Sequence, residues 1–175
     1  MKYFIFILTI LVSLHSYAST CPSVKICFTP GQNCTEEIVN MLNNAKNSIL
    51  LQAYQFTSEP IVNGVIEAKR RGIEIQVILD KSQVKHKYSM VVVRELLSNK
   101  IPVWIDSKPA IAHNKVMVID NHKVITGSFN FTAAAQKRNT ENLLAIDDAE
   151  VAKKYTENWY KRKKQSKPAG INTEV

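Results

Sequence analysis

Residues 113–130, reading HNKVMVIDNHKVITGSFN, constrain this chain more than any other stretch. Two alternating apolar runs flank Asn121 and His122, and as strands joined by a tight turn at that pair they form antiparallel neighbours. Strand side chains repeat every two residues, so His113 and Lys115 share a face. The second run leads into Gly127, Ser128 and Asn130. A histidine, a lysine, a serine and an asparagine are thereby expected at one end of a sheet.

Those side chains have a common chemistry. An imidazole can attack phosphorus or pass a proton near neutral pH. An ammonium, a hydroxyl and an amide can hold the non-bridging oxygens as charge builds in the transition state. The set calls for no metal and no cofactor: a zinc site needs three or four His, Cys or carboxylate ligands, and neither HExxH nor CxxC spacing occurs.

The pattern His113-x-Lys115-x4-Asp120-x6-Gly127-Ser128-x-Asn130 resembles, without substitution, the HKD signature of the phospholipase D superfamily. Size, leader and a single copy of the motif make the chain similar to small bacterial HKD endonucleases and to short phospholipase D-like proteins of intracellular bacteria. The resemblance extends over residues 24–160, including LQAYQFT at 51–57 and NTENL at 139–143. It implies a centre built from two HKD motifs, hence a homodimer whose active site lies on the two-fold axis. One His113 would attack the phosphodiester to give a phosphohistidine while the partner's His113 protonates the leaving oxygen and then activates water. Lys115 and Asn130 are expected on the phosphate oxygens, Ser128 either on phosphate or holding its loop, and Gly127 where backbone must approach closely. Glu141 stands where relatives carry an acid that orients the histidine. Asp120 is expected to brace the turn at Asn121 and His122 without touching substrate.

The rest of the chain supplies a scaffold. Residues 24–28 read as a strand closed by Thr29, Pro30 and Gly31, and Thr35 caps a helix whose stripe is Ile38, Met41, Leu42 and Ala45. An interior strand over 48–56, a helix opened by Pro60 and a strand over 73–79 follow. This strand–helix–strand order predicts an α/β fold with a mixed, mostly parallel sheet flanked by helices, the phospholipase D/nuclease-like sandwich that the resemblance also implies. A basic loop at 81–87, with Lys81, Lys85 and Lys87, follows a strand end where open α/β sheets place their crevice, and is read as contacting the substrate backbone. Arg138 is a further candidate for that role. A helix over 88–97, a strand over 102–105, a helical stretch at 131–137, a strand over 141–146 and a closing helix over 149–160 complete the domain.

Residues 1–18 carry one lysine, an apolar run and small residues near Ala18, the form of a secretory signal peptide. A single catalytic domain over 19–160 and a basic, flexible tail over 161–175 are expected to follow. Export to the periplasm or beyond makes a Cys27–Cys34 disulfide plausible, with Cys21 free, competing for either partner, or joining two chains. The net charge of +8 suits nucleic acid and anionic membrane surfaces alike. The first expectation is a metal-independent, non-specific endonuclease acting on DNA or RNA. The alternative is a phospholipase D acting on glycerophospholipids such as phosphatidylcholine, and the weaker one a non-catalytic nucleic-acid-binding module.

Overall fold

The computed structural model describes residues 22–170, so the leader expected at 1–18, Cys21 and residues 171–175 lie outside the described residues. Along the chain run β1 (Ser23–Thr29), α1 (Cys34–Asn43), β2 (Ser48–Ala53), α2 (Glu59–Arg70), β3 (Glu74–Asp80), a 3₁₀ turn (Lys81–Val84), α3 (Lys87–Ser98), β4 (Val103–Asp106), β5 (Lys115–Ile119), β6 (Lys123–Gly127), α4 (Ala133–Lys137), β7 (Glu141–Asp147), α5 (Ala149–Lys163) and β8 (Lys167–Pro168). Local chemistry sets most of the boundaries. Asn33, not Thr35, caps α1: its side chain accepts from the Glu36 amide, with Glu36 and Glu37 in the first turn against the helix dipole. Pro60 sits in the first turn of α2, where its missing N–H leaves no bond unmade. Asp148 caps α5 through the Val151 amide.

The strands form one sheet in the order β1-β7-β6-β5-β2-β3-β4-β8. Only β2–β3 and β3–β4 are parallel, whereas the other five neighbouring pairs are antiparallel. The expected mostly parallel sheet is therefore corrected to a mixed, mostly antiparallel one. The reason lies in the connections. A parallel pair needs a crossover of a dozen residues or so, and α2 and α3 supply one each. After β4 the chain returns through a loop to run beside β2 in the opposite sense, β5 and β6 form a hairpin, and short α4 leads to β7.

Helices α1, α2 and α3 cover one face of the sheet, over a core that includes Ile38, Ile61, Val65, Val93, Leu51, Val77 and Met117. Helix α5 covers the other, where Ala152 and Trp159 pack on Leu50, Ile78, Val116, Val118 and Val124. The indole of Trp159 is buried and donates to the Leu51 carbonyl at 3.0 Å. Residues 161–170, read as the start of a loose tail, are ordered instead. Helix α5 continues to Lys163, the guanidinium of Arg162 donates to the buried Asp106 carboxylate at 2.6 and 2.9 Å, and β8 pairs antiparallel with β4. Cys27 and Cys34 are disulfide-bonded with a Cα separation of 5.7 Å, joining β1 to the first turn of α1.

Candidate active site

Register decides which chain segments meet. Ala53, the last residue of β2, pairs with Leu79 near the end of β3 and with Lys115, the first residue of β5. Across the hairpin, Gly127 at the end of β6 pairs with Leu143, and Glu141 at the start of β7 pairs with Thr29 at the end of β1. Strand ends carrying His113, Lys115, Ser128, Asn130 and Glu141 thus share one rim of the sheet.

At that rim Lys115 is the buried member. Only 5 % of its surface is exposed, its Nζ donates to the His113 carbonyl at 2.8 Å, and the ammonium lies 5.1 Å from the centre of the Tyr54 ring. Burial lowers its pKa below the ordinary lysine value, against the opposing negative charge of Glu141. His113 is exposed. Its ring stacks at a tilt on Tyr54, centroids 4.6 Å apart and planes at 51°, and among the described residues its imidazole makes no hydrogen bond. Tyr54 thus sets the histidine against the lysine. It is held in turn by its amide, which donates to the Asn114 carbonyl at 2.8 Å, while Gln52 donates to the Asn114 side chain at 3.1 Å.

Gly127 has φ +143°, and a Cβ there would stand 2.3 Å from the Asn142 carbonyl oxygen. Only glycine permits that approach. It brings the Ser128 amide to the Asn142 carbonyl and side chain at 3.1 and 3.0 Å, and the Asn142 amide to the Ser128 hydroxyl at 3.0 Å. The same hydroxyl donates to Glu141 at 2.5 Å, and Asn139 donates to the other carboxylate oxygen at 2.9 Å. Within the chain Ser128 is therefore a holder of its loop, and Glu141 is engaged by Ser128 and Asn139 instead of by His113, the partner expected for it. Asn142 was part of the recognised pattern but had no role assigned. It emerges as the anchor of the serine loop.

Asn130 has a buried amide oxygen with no hydrogen-bond partner. A half-turn of the amide exchanges oxygen for the NH₂ group and presents a donor there, which is what a phosphate oxygen needs. Asp120 follows the far end of β5, away from the rim that carries His113. Its carboxylate accepts from the amides of Lys46, Asn47 and Ser48 at 2.9, 2.7 and 3.0 Å, bracing the entry to β2 and not, as expected, its own turn. Burial pushes its pKa up, but those amides, aided by Lys123, pull it down further, and the net shift is downward. The turn itself is shifted by one residue, with Asp120 and Asn121 at φ 55° and 52° and the His122 amide on the Ile119 carbonyl.

The basic loop divides. Lys81 donates to the Pro109 carbonyl at 3.0 Å and so clips the loop ahead of His113, in place of the substrate contact expected of it. Lys85 and Lys87 are exposed at the start of α3, and Arg138 is exposed after α4 beside a cleft shared with His86. None of the three bonds to the residues around His113. Among the described residues no group of three or more His, Cys, Asp or Glu side chains is placed to hold a metal ion.

The family described as cardiolipin synthase, PLD-like domain, matches residues 38–162. The chain is 45 % identical to a phospholipase D of Rickettsia felis over 168 residues, covering 89 % of this chain and 83 % of that protein. It is 49 % identical to a phospholipase D of Rickettsia conorii over 140 residues, covering 80 % and 69 %. Among solved structures, the phospholipase D family member Nuc from Salmonella typhimurium superposes with a TM-score of 0.82 at 32 % identity, over 85 % of this chain and 98 % of that one. The family match, the relatives and the gathering of His113, Lys115 and Asn130 at one sheet rim agree: this chain belongs to the phospholipase D superfamily and is an HKD-type phosphodiesterase.

Proposed function

We propose that this enzyme hydrolyses the ester between the phosphate and the headgroup of a glycerophospholipid. The observation that carries this reading is the likeness to the R. felis phospholipase D along nearly the whole chain. It supports the lipid substrate over the endonuclease reading put first from the sequence. The exposed cations Lys85 and Lys87 and the net charge of +8 favour polynucleotide as the second reading. In the proposed cycle His113 attacks phosphorus and the headgroup oxygen leaves with a proton from the partner's His113. That imidazole then takes a proton from water, whose oxygen breaks the P–N bond and frees phosphatidic acid. Lys115 and Asn130 bear the charge on the non-bridging oxygens. Export is part of the same proposal, and the Cys27–Cys34 bond is of the kind that persists in oxidising compartments.

A homodimer is the proposed working unit. Cys27 faces the main core, so its neighbours Ile26 and Phe28 point to the opposite face, as does Val24. These three are 51 %, 55 % and 47 % exposed, beyond the reach of α5. They pair with Leu144, Asn142 and Ile146 in β7, so the uncovered apolar strip runs up to Asn142 and the Ser128 loop. A second copy seated there would lie against the HKD rim.

The test uses the purified full chain on phospholipid vesicles and on plasmid DNA side by side, with His113→Asn as control and chelator throughout. Headgroup release without DNA cleavage, abolished by the substitution and untouched by chelator, is expected. DNA cleavage without headgroup release would transfer the assignment to the nuclease reading.

A further inference from the structure

Outside the HKD residues, a cleft of about 580 Å³ opens between α4 and the start of α3. Gln55 and Thr57 line it from the segment after β2, Gln83, His86 and Tyr88 from the 3₁₀ turn and α3, and Arg138 from the end of α4. Chain adjacency and backbone bonds tie its lining to the segments that carry Tyr54 and Asn130. Gln55 follows Tyr54, on which His113 stacks, and its carbonyl accepts from the amide of Phe131, the residue after Asn130, at 3.2 Å. The Thr57 amide donates back to the Phe131 carbonyl at 2.9 Å, so the segment lining the cleft and the segment carrying Asn130 are one bonded unit.

The lining has a sign. Arg138 is exposed and, among the described residues, makes no ion pair; the His86 imidazole likewise makes no hydrogen bond or ion pair there. Among the described residues no carboxylate lines the cleft. A guanidinium and an imidazole borne by different elements, over amide and hydroxyl groups, are donors suited to a phosphate. The lining is unsuited to a quaternary ammonium, which is held by several aromatic faces or by negative charge, whereas among the described residues Tyr88 is the one Phe, Tyr or Trp side chain here.

We propose that this cleft is a second phosphate subsite, which takes a phosphate on the headgroup beyond the scissile bond and makes the enzyme prefer such lipids to phosphatidylcholine. The preference rests on the phospholipid reading; the subsite itself does not. Thr132, two residues after Asn130, lines the same cleft as Arg138 and His86, so a second phosphate on the headgroup of a lipid held at Asn130 has donors on the adjoining segment.

Calorimetry on the full chain with glycerol 1,3-bisphosphate and glycerol 3-phosphate tests the subsite without any turnover. The bisphosphate is expected to bind about tenfold more tightly than the monophosphate, and Arg138→Gln to bring the two within about twofold, with Arg138→Lys between. The readout is a ratio within each variant, so a change in overall affinity does not mimic it. Equal binding of both probes by the native chain, or a ratio unmoved by Arg138→Gln, would overturn the subsite. In parallel, monomeric dihexanoyl phosphatidylglycerol phosphate and dihexanoyl phosphatidylcholine are compared as substrates, the former expected to have the higher kcat/KM by about tenfold. If neither lipid is cleaved while the bisphosphate ratio holds, the phospholipid reading fails and the subsite stands. If both are cleaved equally and the ratio is unity, the reading stands and the subsite is lost.

Discussion

Lys115 is where catalysis and stability oppose each other. Its pKa is lowered by burial, so the fold disfavours the charged form proposed to meet the phosphate. The cost is fully present below the folded pKa and fades as pH rises through it toward the unfolded value of about 10.4. Lys115→Met removes the buried charge at similar volume. Unfolding by denaturant at pH 7 is expected to show a gain of roughly 1–2 kcal/mol, with turnover reduced at least about 100-fold. A loss of stability would mean that the bond to the His113 carbonyl and the Tyr54 ring outweigh desolvation. Asp120 has the opposite sign. Its pKa is depressed, so its contribution is present above the unfolded value of about 3.9 and is lost as pH falls through the folded one. Asp120→Asn is expected to cost roughly 1–3 kcal/mol at pH 7, and its stability curve should converge with that of the native chain in acid. His113, Lys115 and Asn130 were legible in the sequence through the spacing that resembles the HKD signature, and period-two alternation added only that His113 and Lys115 share a face. The bond from Ser128 to Glu141 was not, because it depends on the register of β6 against β7.

One loop carries the histidine, and two strand-end carboxylates anchor it. Asp80, buried at the end of β3, accepts from the Ser82 amide at 2.8 Å and from the Ala112 amide at 2.7 Å, one residue before His113. Asp106, fully buried at the end of β4, takes Arg162 and the Lys108 amide. An amide at position 80 accepts through one oxygen only, so one of the two backbone bonds must weaken. Asp80→Asn is expected to lower kcat by about 10–100-fold with KM nearly unchanged and far-ultraviolet circular dichroism preserved. A fall in thermal stability with kcat intact would reduce Asp80 to a purely structural brace. Nothing in residues 80–113 announces this pairing, since it closes a loop of more than thirty residues across the sheet. The elements themselves were largely legible from apolar spacing. Strand direction was not: the order β2-α2-β3-α3-β4 suggests continued parallel winding, and only the placement of β5 beyond β2 reverses it.

At the scale of the whole molecule, the proposed dimer makes activity depend on association. If both imidazoles act on one phosphate, a dimer with one His113→Asn chain has either no nucleophile or no acid, and it is as inactive as the doubly substituted dimer. Mixing native and His113→Asn chains in equal amounts, with time for exchange, then leaves about a quarter of the dimers active, against about half of the activity if each chain works alone. The apolar strip supplies the independent arm. Ile26→Asp places a carboxylate in the exposed middle of β1, where it faces solvent in the free chain and an apolar surface in the pair. Sizing is expected to show a monomer with unchanged circular dichroism and almost no turnover. Full activity from a monomeric Ile26→Asp chain, or half activity in the mixture, would show that one HKD copy suffices. The chemistry would then need its second proton carrier from within the same chain, where Glu141, held by Ser128 and Asn139, is a carboxylate at the same rim.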